Sequence, residues 1–255
     1  MDVIKEETGL TISFLINIIN MINVDSVYQK VLALANKEQR GYITPQEFNL
    51  FADKAQNEIY ENYFHQLNMA QMKPKSQEQH IDSREAIEHK LEPFVEKDTL
   101  TVTTTGLAVT DVPLNSARII NISNVTTNQP VTKVDYRELQ YILSHPLTKP
   151  NNTRRIYVVN ENGDLQFHPS PDSVMDNGYN IHYYREPKQP YWGWVLVGEK
   201  ALYNQTASTD FQLHFTEEEN LVSRILILAG VSIKHPDVSQ AGAQDIQLIK
   251  QQQNS

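Results

Sequence analysis

The apolar residues of this chain change period twice, at Pro93 and again at Thr216, and that double switch restricts the fold more than any other feature. Before Pro93, Phe48, Phe51, Ala52, Ala55, Ile59, Tyr63 and Leu67 recur at three- and four-residue steps, a single stripe on a long amphipathic helix opposite Asp53, Asn57, Glu58 and Glu61. A shorter helix is expected over Val24 to Ala35, with Asp25 or Ser26 as its cap, and another over Ser83 to Leu91, stopping before Pro93. Residues 71–82 between them are polar and read as a connection.

After Pro93 the pattern becomes period 2. Leu100 to Thr105, Ala108 to Thr110, Arg118 to Ser123, Arg155 to Val159, Leu165 to Pro169 and Tyr179 to Tyr184 are short β-branched or aromatic runs of the strand type. Asn162-Gly163 sits where a type I′ hairpin turn needs two residues of positive φ. Asp135 to Leu143 reads as one short helix inside this β region. At Thr216 the helical period returns: Thr216-Glu-Glu-Glu219 has the capping-box spacing, and Leu221, Val222, Ile225, Leu226, Leu228 and Ala229 form a wide apolar face. A further short helix is expected near Pro236.

The expected fold class is therefore α+β: a helical bundle formed by the N- and C-terminal helices of 21–93 and 216–255, with 94–215 inserted as an antiparallel β-sandwich or barrel. Residues 1–20 read as a possible upstream extension, because Met21 would make a natural start.

The segment from Asn36 to Glu47 imitates a calcium loop and fails on charge. Asn36, Glu38 and Arg40 fall on its first three ligand positions, with Gly41 at the turn and Glu47 at the bidentate site. A guanidinium in place of a ligand oxygen removes a donor and adds repulsion. The same residues fit a helix start better: Thr44 as N-cap, Pro45 at the first helical position, and Glu47 closing a capping box.

Composition excludes several classes of function. With no cysteine in 255 residues there are no disulfides and no thiolate chemistry, and a net charge of -9 without Lys/Arg clusters lacks the counterion release that drives nucleic-acid affinity. The run Leu10 to Ile22 is too short and too often interrupted by polar residues to span a bilayer. Gly193 to Ala201 fails as a phosphate loop, since Glu199 stands where the lysine belongs and Ala201 where the hydroxyl belongs. The histidines show no metal-ligand spacing, and His168 and His182 read as hydrogen-bonded strand residues. Asp135 and Glu138 beside Tyr136 read as a solvated helix face. No catalytic residue, metal site or cofactor is expected.

Tyr191, Trp192 and Trp194, following Glu186-Pro-Lys-Gln-Pro190, are the candidate interface. Stacked aromatics can bind glycan; they also pin a sheet to neighbouring helices or to another subunit, and the second reading needs no accompanying ring of polar groups.

The segment Val27 to Phe64, containing Asn-Lys-Glu-Gln-Arg-Gly-Tyr-Ile-Thr-Pro-Gln-Glu-Phe, resembles virion structural proteins of crAss-like tailed bacteriophages, and Glu219 to Lys234 is similar to the same group. The order helices, β insert, helices also resembles the tail tubular protein A type of head-to-tail adaptor in short-tailed phages. That resemblance implies a nonenzymatic, homo-oligomeric ring, a dodecamer, at the neck of the virion. Its partners would be the portal and other neck or tail proteins, with DNA passing through the lumen without specific binding. The alternative is a tail or fibre accessory that binds host-surface glycan through Tyr191, Trp192 and Trp194.

Overall fold

The computed structural model describes residues 21–37, 43–72, 78–102, 109–170 and 178–232, together with residues 247 and 251. The chain is α+β and divides into two compact units. One draws on Met1–Pro93 and Pro187–Ser255; the other is Phe94–Glu186. The second boundary corrects the expected one: residues 187–215, read from their texture as the end of the β insert, belong to the unit made from both ends of the chain.

In that outer unit, α1 (Val24–Lys37), α2 (Pro45–Met72), α3 (Glu78–Leu91) and α5 (Glu218–Ser232) are the helices, α2 packing on both α3 and α5, and α1 on α5. The start of α2 follows from its residues. The Thr44 backbone N–H and hydroxyl both donate to Glu47 Oε2, at 3.0 and 2.8 Å, and the Glu47 N–H returns a bond to Thr44 Oγ1 at 3.3 Å. This reciprocal box satisfies donors that a helix start leaves unpaired. It also occupies Glu47, the residue that would close a calcium loop; residues 38–42 of that loop lie outside the described residues. The cap of α1 is Asn23 rather than Asp25 or Ser26, its Oδ1 accepting from both of their N–H groups at 3.0 Å.

Phe48, Ala52, Ala55, Ile59 and Tyr63 on α2 are buried as their spacing requires, joined by Tyr60 and Phe64. Each fully buried aliphatic or aromatic side chain contributes roughly 1.5–3 kcal/mol. Gln56 is buried on the same stripe without breaking it, because both ends of its amide are paired: Nε2 donates to the Lys188 carbonyl at 2.8 Å and Oε1 accepts the Gln212 N–H at 3.0 Å. Leu221, Val222, Ile225 and Ala229 of α5 are buried, while Leu226 and Leu228 are half-buried. The first turn of α5 departs from the expected capping box. A 3-10 turn, Phe215–Glu217, precedes the helix and is capped by His214. The unit also contains strands: β1 (Met21–Ile22) pairs antiparallel with β11 (Phe211–His214), and β9 (Trp194–Val197) with β10 (Lys200–Tyr203). It is thus more than the helical bundle the sequence suggests. The helix expected near Pro236 and the possible extension 1–20 lie outside the described residues.

The middle unit is a seven-stranded sheet of β2 (Val95–Thr101), β3 (Val109–Thr110), β4 (Ser116–Asn124), β5 (Pro130–Lys133), β6 (Ile156–Val159), β7 (Leu165–His168) and β8 (Gly178–Arg185), in the order β2-β8-β4-β5-β6-β7-β3. Its pairing is not antiparallel throughout. β5 and β6 run parallel, with Thr132 opposite Ile156 and Lys133 opposite Tyr157. Adjacent parallel strands need a crossover, and α4 (Tyr136–Ser144), the short helix within the β region, supplies it. The β6 strand is consequently buried on both faces. Tyr157 points into the main cluster with Ile122, Leu165, Phe167, Tyr179 and Ile181, while Ile156 and Val158 pack with Leu139 of α4.

The sheet is curled. Phe167 on β7 and Tyr179 on β8 stack at 4.4 Å although three strands separate them in the sheet order. Register shifts in β4 between Ser116 and Arg118 and between Ile119 and Asn121 supply local bends. The β6–β7 connection is longer than a two-residue hairpin: Val159 pairs with Leu165, Asn160 N–H donates to the Asp164 carbonyl at 2.8 Å, and of Asn162 and Gly163 only Gly163 has positive φ, at 87°.

Candidate functional site

The three candidate aromatics fall on one short segment of the outer unit and have different environments. Trp192 is only 2% exposed. Its ring lies 4.4 Å from that of Tyr28 on α1, its Nε1 donates to Asp25 Oδ1 at 2.9 Å, and its backbone is held by Asn49 of α2. The Trp192 N–H donates to Asn49 Oδ1 at 2.7 Å, and Asn49 Nδ2 donates to the Trp192 carbonyl at 3.2 Å. Trp192 therefore joins α1 to α2 and is no part of an accessible surface. A glycan platform built from all three rings is incompatible with that burial; Tyr191 is exposed and Trp194 half-buried, their centroids 6.0 Å apart.

What Trp192 anchors is the β9–β10 hairpin. Trp194 and Tyr203 stand directly opposite one another at its base, and both rings reach Trp192, at 6.3 and 5.9 Å. The base is also strapped by backbone. Gly193 N–H donates to Ser208 Oγ at 3.0 Å, Asn204 N–H to the Gly193 carbonyl at 2.9 Å, and Tyr191 exchanges bonds with Thr209 at 3.0 and 2.8 Å. Gly193 is required there: a Cβ would stand 2.8 Å from the Ala207 carbonyl oxygen. At the tip, Gly198 (φ 55°) and Glu199 (φ 67°) are both left-handed, the signature of a type I′ turn. The stretch that fails as a phosphate loop is this hairpin. It escapes detection by sequence because glutamate is an unusual second residue for such a turn.

Successive strand residues alternate faces, so the register puts Val195, Val197 and Leu202 on one face and Leu196 with Trp194 on the other. Leu196 is 69% exposed, Val197 56%, and Val195 and Leu202 51% each. Away from its anchored base, the ribbon thus presents large apolar side chains to solvent on both faces. This surface was invisible to a reading of Tyr191, Trp192 and Trp194 alone, though the run Trp-Val-Leu-Val was a legible sign of it.

Several ionisable residues of the outer unit meet at the start of α5. Lys90 Nζ lies 2.6 Å from Glu217 Oε1, Asn220 Nδ2 donates to Glu217 Oε2 at 2.8 Å, and Arg224 pairs with Glu58 at 3.2 Å. The Tyr63 hydroxyl lies beside Glu217 without reaching hydrogen-bonding geometry, and burial followed by that negative charge pushes its ionisation far above the ordinary phenol range. Burial opposes ionisation of Glu218, yet hydrogen bonds from Lys30 and Ser26, with the charge of Lys30, hold its carboxyl below the usual range. These carboxylates are committed to ion pairs that fasten helices together. His89 and His214, far apart in sequence, face each other here at 5.6 Å between ring centroids.

In the middle unit, His168 is not the hydrogen-bonded strand histidine expected: its Nε2 is buried without a partner, and burial pushes the ring's pKa down. Tyr136 is exposed beside Asp135 and Glu138, a solvated face. Among the described residues no group of three His, Cys, Asp or Glu side chains could hold a metal ion, and no helix is long and apolar enough to cross a membrane. No known family matches the chain's sequence, and no curated protein is significantly similar to it.

Proposed function

We propose that this chain is a structural adaptor of a tailed phage virion, a subunit of a homo-oligomeric, twelvefold ring at the neck that joins the portal to the tail. In this reading the β9–β10 hairpin is a side-to-side contact between copies, and the terminal helices and the inserted sheet provide two contact bodies of different character. The observation that carries it is the hairpin, rigidly anchored by Trp192 yet apolar on both faces at its outer end.

Such a ribbon is a poor solution for a chain that works alone. Large apolar side chains clustered in the open on one element point to a contact site more than single scattered ones do, and Val195, Leu196, Val197 and Leu202 are all more than half exposed, few beside the roughly 20–30 residues that each side of a standard interface contributes. One hairpin is therefore too little for a stable pair. A closed ring removes the shortfall, because every subunit gives its hairpin to one neighbour and receives another's, with contacts that differ on its two sides. In this reading an acidic lumen would let DNA pass without adhering, and a net charge of -9 is compatible with one.

The test is native mass spectrometry of the chain mixed with portal and neighbouring tail proteins, comparing wild type with L196D/V197D. Wild type is expected to enter a multi-copy complex and the variant to remain outside it. Because exposed substitutions usually change stability by no more than about 0.5 kcal/mol, the two should unfold at the same denaturant concentration. Equal incorporation of both would overturn the hairpin's role, and failure of wild type to join any complex would overturn the adaptor reading.

A further inference from the structure

His214 ends β11 and caps the turn that starts α5, and the geometry fixes which form of the ring can do so. Its Nδ1 accepts the Thr216 N–H at 3.4 Å and lies 2.8 Å from Thr216 Oγ1. A nitrogen that accepts a backbone N–H carries no proton, so the capping form is the neutral ring with its hydrogen on Nε2. The groups facing it on the helix side are His89 from α3, edge-on at 5.6 Å, and next to it Lys90. From its own turn comes Glu217, whose carboxylate already binds Lys90 and Asn220. The Phe215 ring covers another side, at 4.4 Å.

We propose that His214 and His89 form an acid-sensitive latch on the C-terminal helix: protonation of His214 withdraws the acceptor that caps the Phe215–Glu217 turn and sets a second cation against the His89–Lys90 edge, loosening the start of α5 from α3. No covalent step is involved; one proton from solvent is bound and one hydrogen bond is lost. Burial, then charge repulsion from the His89–Lys90 edge, depresses the affinity of the ring for that proton, with Glu217 opposing.

The sign follows. A histidine whose folded pKa lies below its unfolded value of about 6.5 adds stability that is intact above that pH and is lost as the pH falls from there through the folded value. The latch is closed at neutral pH and weakens in mild acid, and it acts where α5 begins to cover the apolar stripe of α2. This goes beyond the adaptor reading and does not depend on it.

The experiment is hydrogen exchange of the Phe215–Leu221 amides at pH 7.5 and 5.0, corrected for intrinsic rates, with the imidazole titrations followed by NMR. Wild type is expected to lose protection in this turn several-fold at pH 5.0, with His214 titrating below 6.5. In H214N, where an amide oxygen caps at any pH, that loss should disappear, while protection within 94–186 changes no differently from wild type. H89Q, which leaves the cap intact, should retain the loss in reduced degree. The proposal is overturned if the wild-type turn is equally protected at both pH values, if His214 titrates at or above 6.5, or if H214N shows the wild-type loss.

Discussion

Replacing Trp192 by alanine is the most informative perturbation of the outer unit, because it separates an anchoring role from a binding one. The side chain is buried against Tyr28, Trp194 and Tyr203, and its Nε1 bonds Asp25. Removing a buried tryptophan costs about 3–5 kcal/mol in transfer energy and cavity, of which the Asp25 hydrogen bond is worth roughly 1 kcal/mol; Asp25 is half-buried and can turn to water. W192A should therefore lose about 4 kcal/mol and W192F about 1–2 kcal/mol. Against a total of 5–15 kcal/mol for a typical domain the first loss is severe. With a urea slope of ~2 kcal/mol per molar, it lowers the unfolding midpoint by about 2 M. Urea titration followed by tryptophan emission is the suitable assay, since both tryptophans of the chain lie in the outer unit and Trp194 remains as the reporter. A midpoint for W192A within about 0.5 M of wild type would refute the anchoring argument. The same experiment shows why W192A is a misleading probe of glycan binding: any ligand loss would follow from the collapse of the hairpin's base.

Two further substitutions test local geometry. G193A drives a methyl group to 2.8 Å from the Ala207 carbonyl oxygen; a thermal melt should show a loss of about 1–3 kcal/mol, and an unchanged melting temperature would show that the 204–208 turn yields. T44A removes the acceptor for the Glu47 N–H and should cost about 1 kcal/mol at pH 7. Bonds from Thr44, the backbone N–H first and then the hydroxyl, hold the Glu47 carboxyl below its usual range. Its contribution is thus present above the unfolded pKa and lost as the pH falls through the folded one. The T44A penalty, measured by denaturation at pH 7 and pH 3, should shrink in acid; a constant difference would deny the carboxylate's part in the box.

The elements legible in the sequence were those whose signals are local. Thr44, Pro45 and Glu47 announce the start of α2 because a capping box is written within four residues, and β4, β6, β7 and β8 of the middle unit follow from their β-branched and aromatic runs. What escaped depended on partners distant in the chain. Pro130-Val-Thr-Lys is too short and polar to read as β5, and becomes a strand because β4 and β6 lie on either side of it. His214 displaced Thr216 as the cap because β11 ends there, a fact set by its pairing with β1 some 190 residues away. Trp192 and Trp194 were singled out together, yet only tertiary packing could assign the first to the core and leave the strand beyond the second exposed. The boundary at residue 186 was hidden for a similar reason: 187–215 has β texture, but its hydrogen bonds run to Asn49 and Gln56 on α2.

Building one unit from both ends of the chain sets an order of events during synthesis. Helix α2 emerges from the ribosome early, while α5, which packs along it, is made only after all of 94–186 and the hairpin. At about 5–20 residues per second that interval is on the order of ten seconds, ample for the middle sheet to close while Phe48, Ile59 and Tyr63 still await their cover. Emergence of α5, rather than collapse of the first-made helices, is the event that completes this unit, and a message cut short before residue 218 yields a chain whose middle unit is finished and whose outer one cannot be.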